Sequence, residues 1–238
     1  GIASALGEAR KGVLQAVTDF IDRDAELDLF ERMASESGRP ISVSIAQGAK
    51  TGDDWRVELA RFAEVSARGV QMRGQVGARA VGLMLGLEAT LHPFMFSEPY
   101  QAIADRPLAE RVAVMRDPEL RRKIIEGARV DDTSLGSRAI HRYRFIFQLG
   151  DPPNYEPDPS TSVEAIARRE GREPLDLLYD WMLENDGHAL LYQPILNWFG
   201  ENLDAVGEML RHPATVPGLS DGGAHVGFIL DAGYPTWL

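Results

Sequence analysis

The sequence contains no cysteine. Disulfides and thiolate chemistry are thereby excluded, and a cytoplasmic location is the expectation that fits. It also lacks any cluster of basic residues. Twenty-five lysines and arginines face 36 acidic residues, for a formal charge of −11, so no nucleic-acid partner is expected. No apolar run is long enough to cross a bilayer, so no membrane partner is expected either. No stretch reads as a signal peptide. The chain has no initiating methionine, and it stops at the apolar stretch "GYPTWL" without a polar tail. Both ends are expected to be cuts within a longer protein.

What is present is an ordinary globular composition, 44% hydrophobic and 26% charged over 238 residues, enough for one large domain or part of one. The first third alternates strand-like and helix-like runs. "KGVLQAVTDF" (11–20) reads as a strand ending near Asp19. In "DAELDLFERMASESG" (24–38), Leu27, Phe30 and Ala34 share one helical face, Asp24 caps the start and Gly38 the end. "PISVSIAQG" (40–48) is a second strand, ending at Gln47. "DDWRVELARFAEVSARG" (53–69) is a helix capped by Asp53, with Trp55, Leu59, Phe62 and Ala63 on its apolar face. "VQMRGQV" (70–76) is a third strand, ending near Gln75. Strand starts recur at the length of a strand–helix unit, which predicts parallel strands with right-handed crossovers.

The rhythm breaks over residues 77–187, a long and mostly helical insertion. "PLAERVAVMRDPELRRKIIEGA" predicts two short helices divided at Asp117–Pro118. "GDPPNYEPDPS" predicts an irregular loop, because its four prolines forbid regular pairing. "SVEAIARREG" and "EPLDLLYDWMLENDG" predict helices, the second with Pro174 in its first turn. The alternation then resumes. "HALLYQPILNW" (188–198) is a strand ending near Asn197, "NLDAVGEMLRH" (202–212) a helix, and "TVPGLSDGG" a last strand ending at Asp221. Tyr192 and Trp198 are packing residues. The expected fold is α/β with about five parallel strands. Two arrangements remain open: a doubly wound sheet, or part of an eight-stranded (β/α) barrel. Either places its site at the C-terminal ends of the strands, where Asp19, Gln47, Gln75, Asn197 and Asp221 fall.

Four blocks carry a resemblance: "QVGARAVGLMLGLEATLHPF", "LGDPPNYEP", "LLYQPILNWFGENLDAVGEMLRHP" and "TVPGLSDGGAHVGFILDAGYPTWL". Together they resemble the N-acyl-D-amino-acid deacylase (D-aminoacylase-like) branch of the amidohydrolase superfamily, from about residue 11 to the end. The resemblance implies a TIM-like barrel of the metal-dependent hydrolase type. Residues 1–238 would form one partial barrel domain with the insertion at 77–187. The implied substrate is an N-acyl amino acid of D configuration, and the implied cofactor is a divalent metal, zinc. The residue matching the family's last-strand carboxylate is Asp221. It would serve as general acid and base on a metal-held water and as a metal contact, the other ligands lying outside this segment.

Candidate substrate-binding residues are His225 after the Asp-Gly-Gly turn, Arg79 as a carboxylate clamp, and Gln75, Gln47 and Asn197. His92 is a further candidate, within the insertion. The chain departs from the superfamily in lacking a His-x-His pair, the D-aminoacylase cysteine, and histidines on the strands "LQAVTDF" and "ISVSIAQ". That departure implies a different or smaller metal site, or a changed activity. Two other readings stand beside the deacylase: a hydrolase of cyclic amides or other acylated amines, and a non-catalytic barrel scaffold. Five strands of eight cannot close a barrel, so the segment alone is expected to be inactive and prone to associate, with a homo-oligomer as the corresponding partner.

Overall fold

The structure is a computed structural model that describes residues 1–48, 52–128, 140–218, 227 and 233. In chain order its elements are α1 (Ile2–Ala9), β1 (Leu14–Ala16), α2 (Arg23–Ser37), β2 (Ile41–Ile45), α3 (Trp55–Ala67), β3 (Met72–Val76) and β4 (Val81–Leu85). There follow α4 (Glu98–Gln101), α5 (Leu108–Met115), α6 (Pro118–Gly127), β5 (Phe147–Gln148), α7 (Val163–Glu170), α8 (Pro174–Leu183), β6 (Leu191–Leu196), α9 (Asp204–Arg211) and β7 (Thr215–Pro217). Two compact units result. One is built on Gly1–Ala80 and the stretch from Leu196, the other on Val81–Ile195.

The first unit holds a four-stranded sheet in the order β1-β2-β3-β7, parallel throughout. Alternation decides how it packs. In β2 and β3 every second residue is buried. Ile41, Val43, Ile45, Met72 and Val76 join Leu27, Phe30 and Ala34 of α2, Trp55, Leu59, Phe62 and Val65 of α3, and Val206 and Met209 of α9 in one core. Gly74 sits between them. A Cβ there would stand 2.7 Å from Ile45 Cδ1 and 3.1 Å from the Phe62 ring, so glycine lets the α3 aromatic reach the sheet. The intervening residues Ser42, Ser44, Arg73 and Gln75 form a polar face, where Gln15 Nε2 donates to Ser44 Oγ at 3.1 Å.

A doubly wound sheet buries both faces, so its strands are apolar throughout, and its strand order reverses at a switch point. Neither feature is found in the sheet β1-β2-β3-β7, which speaks against the doubly wound alternative. These four strands do not by themselves make a closed barrel.

The helix faces in this unit follow the sequence pattern. Leu27, Phe30 and Ala34 are all buried, and Gly38 ends α2 in a left-handed conformation, φ 61°. The caps fall elsewhere than expected. Asp22, not Asp24, caps α2, its carboxylate accepting from the Ala25 amide at 3.3 Å. Asp54, not Asp53, precedes α3. In such acid-rich starts several carboxylates suit the positive end of the helix, and the chain's entry angle selects one.

The second unit departs further from expectation. Seven strands are described where five were expected, and they do not form one parallel set. The strand predicted at 188–198 is β6, which pairs antiparallel with β5, Phe147 opposite Tyr192 and Gln148 opposite Leu191, in a sheet ordered β4-β6-β5. β4 lies in the Gly-rich apolar stretch, whose short run carries no readable period. Gly82 of β4 leaves the space filled by the Tyr192 ring, only 2.3 Å from where a Cβ would stand. A strand buried on both faces suits this sheet as well as a barrel, so periodicity could not have separated the two.

The helices of the insertion lie where expected. Asp117 Oδ1 caps α6, accepting from the Glu119 and Leu120 amides at 3.1 and 2.9 Å, and Pro174 opens α8. Tyr179 ties α8 to α5 by donating to the Met115 carbonyl at 2.8 Å. Arg121 of α6 lies over the Tyr179 ring and pairs with Asp176 and Asp180.

Phe62 is fully buried against both sheet and helices. Phe62→Ala is expected to cost about 3–5 kcal/mol, read as a fall in the urea midpoint of the first unit followed by the fluorescence of Trp55.

Candidate functional site at the strand ends

Parallel pairing places the C-terminal ends of β1, β2, β3 and β7 on one edge of the sheet. After β1 come half-buried Thr18 and exposed Asp19. After β2 comes Gln47, 8% exposed, and next to it the structure places Asn197, 1% exposed. The Gln47 amide donates to Asn197 Oδ1 at 2.7 Å, and the Asn197 amide donates back to the Gln47 carbonyl at 2.8 Å. Gln47 Oε1 in turn accepts from the Phe199 amide at 3.1 Å. Asn197 holds φ at 62°, a left-handed conformation that asparagine tolerates better than most residues.

Two of the predicted residues are thus brought together as a buried clasp. Their backbones and side-chain oxygens are committed to each other and to Phe199. Gln47 Nε2 and Asn197 Nδ2 have no hydrogen-bond acceptor among the described residues, so this edge carries two available amide donors.

Gln75 lies in β3 between Ser44 of β2 and Val216 of β7. Its Oε1 is buried without a hydrogen-bond partner among the described residues. Its Nε2 fills the space beside Gly218, 2.8 Å from where a Cβ would stand, and the Gly218 amide continues the strand by donating to the Val76 carbonyl at 2.9 Å. Any side chain at 218 would displace the Gln75 carboxamide. Arg79 follows β3 by three residues and is 2% exposed. Asp221 and His225 lie outside the described residues.

His92 belongs to the second unit and is 3% exposed. Its Nδ1 accepts from the Phe94 amide at 3.2 Å, and Tyr100 meets its ring edge-on at 4.4 Å. Burial, aided by the nearby Arg111 guanidinium, pushes its pKa down to about 3. A neutral imidazole packed in this way is part of that unit's core.

Metal chemistry can be tested against these residues. Among the described residues no group of three or more His, Cys, Asp or Glu side chains is placed to hold a metal ion. The ends of β1 and β2 offer Asp19 and Gln47 rather than histidine. The described residues therefore do not fit a resident metal.

One group was overlooked in the sequence. Glu58 of α3 is 4% exposed. The spacing Trp55, Glu58, Leu59, Phe62 puts it on the buried face of its helix, and a carboxylate within an apolar i, i+3, i+4, i+7 set was the available signal.

The chain matches the model of the Amidohydrolase family over residues 1–238 and belongs to that family. The family supports a metal-dependent hydrolase and generally uses divalent metals. No curated protein and no solved structure matches the chain. Among the described residues no helix is long and apolar enough to cross a membrane.

Asn197→Ala is expected to cost about 2–4 kcal/mol, because it strands the buried Gln47 amide and puts at positive φ a residue that tolerates it less well than asparagine. Asn197→Gly should lose only the hydrogen-bond part, about 1–3 kcal/mol. Denaturant unfolding of the two variants separates these contributions.

His92 is neutral in the fold but charges in the unfolded chain below about 6.5. Its contribution is complete above that pH and is lost as pH falls toward 3. Between pH 6 and 4, His92→Asn should flatten the pH dependence of unfolding free energy by up to about 1.4 kcal/mol per pH unit.

Proposed function

We infer that this chain is part of the catalytic barrel of a zinc-dependent hydrolase that cleaves the amide bond of N-acyl amino acids, D-configured, to a carboxylate and a free amino acid. The observation that carries the reading is the polar C-terminal edge of a parallel sheet without strand reversal, in a chain of the amidohydrolase family. Such edges are where barrels of this kind hold their sites.

The chemistry at the edge suits an N-acyl amino acid. Gln47 Nε2 and Asn197 Nδ2 are donors for a substrate carbonyl or carboxylate, and Gln75 Oε1 is an acceptor for its amide N–H. Arg79 would take the substrate carboxylate and His225 would orient the amide. Asp221 lies four residues past the end of β7 in the sequence. In this reading it is the acid and base that moves the proton to the leaving amine. The metal ligands are supplied from outside the described residues.

The test is amine release from N-acetyl-D- and N-acetyl-L-amino acids by the full-length parent protein, beside Asp221→Asn and a chelator-treated sample. Turnover of the D series is expected, with losses of roughly 10²–10⁴-fold in the variant and restoration of the chelated enzyme by zinc. If the folded, zinc-supplied protein turns over neither series, the deacylase reading fails. Turnover of cyclic amides would then move the substrate within the same class, and no turnover at all would leave a scaffold.

A further inference from the structure

A cleft of about 420 Å³ opens in the first unit where the β1–α2 connection meets the first turns of α2 and α3. Phe20, Ile21, Asp22, Arg23, Asp54 and Glu58 line it, together with Asp24. Four of the seven are acidic and one is basic. The basic one is already engaged: Arg23 Nη1 pairs with Asp54 at 3.5 Å, and its Nε lies 3.8 Å from Asp24.

Glu58 differs from the other acids. Asp22, Asp24 and Asp54 are exposed, whereas Glu58 is 96% buried. Its carboxylate accepts no hydrogen bond and makes no ion pair with any described residue. Burying a carboxyl group without a partner is costly, and a structure that does so at the wall of a cleft leaves the partner to be supplied from within it. The apolar part of the cleft is also unusual. Phe20 holds φ at 48°, a conformation uncommon for an aromatic residue, and the next residue, Ile21, is 91% exposed. Strain of this sort at a rim is a pointer to function rather than to packing.

The lining discriminates among ligands. A metal ion would need several carboxylates within coordination distance of one point, and these are not so grouped. An anion would face four acidic side chains. A short organic cation matches both halves of the lining: an ammonium group satisfies an unpartnered carboxylate through charge-assisted hydrogen bonds, and an alkyl body covers exposed apolar surface.

We propose that this cleft binds a small primary alkylammonium ion, its ammonium held by the Glu58 carboxylate with Asp54 beside it and its alkyl chain lying along Phe20 and Ile21. The cleft shares no lining residue with those assigned to hydrolysis and does not rest on that assignment.

The groups that set the charge of Glu58 are known. Burial raises its pKa to about 7, Arg23 opposes that rise and Asp54 adds to it; Asp22 and Asp24 complete the charged lining. An ammonium ligand requires the ionised form, so affinity should fall as the solution is acidified through neutrality.

The experiment is calorimetric titration of the 238-residue chain with n-butylammonium chloride at pH 8 and pH 6, with butan-1-ol and sodium butyrate as controls. One saturable site for butylammonium is expected, about tenfold weaker at pH 6, with no saturable binding of the alcohol or of butyrate. Glu58→Gln keeps the side-chain shape and should weaken binding at least about tenfold, while abolishing the difference between the two pH values. Ile21→Arg changes only an exposed rim residue and should also weaken binding, which keeps the test decisive if Glu58→Gln folds poorly. Equal binding of butan-1-ol, no saturable binding of butylammonium, or unchanged affinity in both variants would overturn the proposal.

Discussion

The apolar face of β2 and β3 can meet only one layer of helices. Ile41, Val43, Ile45, Met72 and Val76 all point into the core made by α2, α3 and α9. The remaining strand positions are Ser42, Ser44, Arg73 and Gln75, which no apolar layer would cover at acceptable cost. From this one-sidedness the rest of the unit follows. Crossover helices stack on a single side, successive strands are added in one direction, and β7 joins next to β3 despite the 138 residues that separate Val76 from Thr215. A sheet grown in this manner presents all its C-terminal strand ends on one edge, and the side chains able to act there are those of the connections and of the last polar strand positions, such as Gln75.

At that edge the structure spends hydrogen bonds to hold polar groups still. Gln47 and Asn197 are buried, yet each satisfies the other's backbone, so both carboxamides sit in fixed positions with their N–H₂ groups unpaired among the described residues. Gln75 is fixed differently, by the absence of a side chain at Gly218. Rigid placement of a few donors and acceptors lowers the entropy lost on binding a small polar molecule. What this edge lacks, among the described residues, is a set of metal ligands. Membership of the amidohydrolase family therefore informs the class of chemistry more strongly than its local execution.

Glu58 shows the opposite economy. It occupies a core-facing helix position and has no hydrogen-bond or ion-pair partner among the described residues at the wall of a cleft. The neighbouring acids are solvated or engaged with Arg23, so their removal would change little. Glu58 is set apart from these acids by burial, which raises its pKa more than the nearby Arg23 charge lowers it.

The sequence by itself determined the local architecture. The faces Leu27–Phe30–Ala34 and Trp55–Leu59–Phe62, the glycine end of α2, the break at Asp117–Pro118 and the three strands of the first third were legible because each depends on neighbours a few residues away. The strand ends at Gln47 and Asn197 were legible as polar punctuation. That they clasp one another was not, since the two bonds join residues 150 positions apart. The same limit explains β6. Its apolar run is compatible with a barrel strand or with an antiparallel neighbour, and only the pairing with Phe147 and Gln148 decides between them. Glu58, too, becomes distinct from an ordinary surface glutamate only when the β1–α2 connection folds over it. Periodicity reports which face of an element is buried. Pairing partners, clefts and desolvated charges are set by long-range contacts, and the tertiary structure alone supplies those.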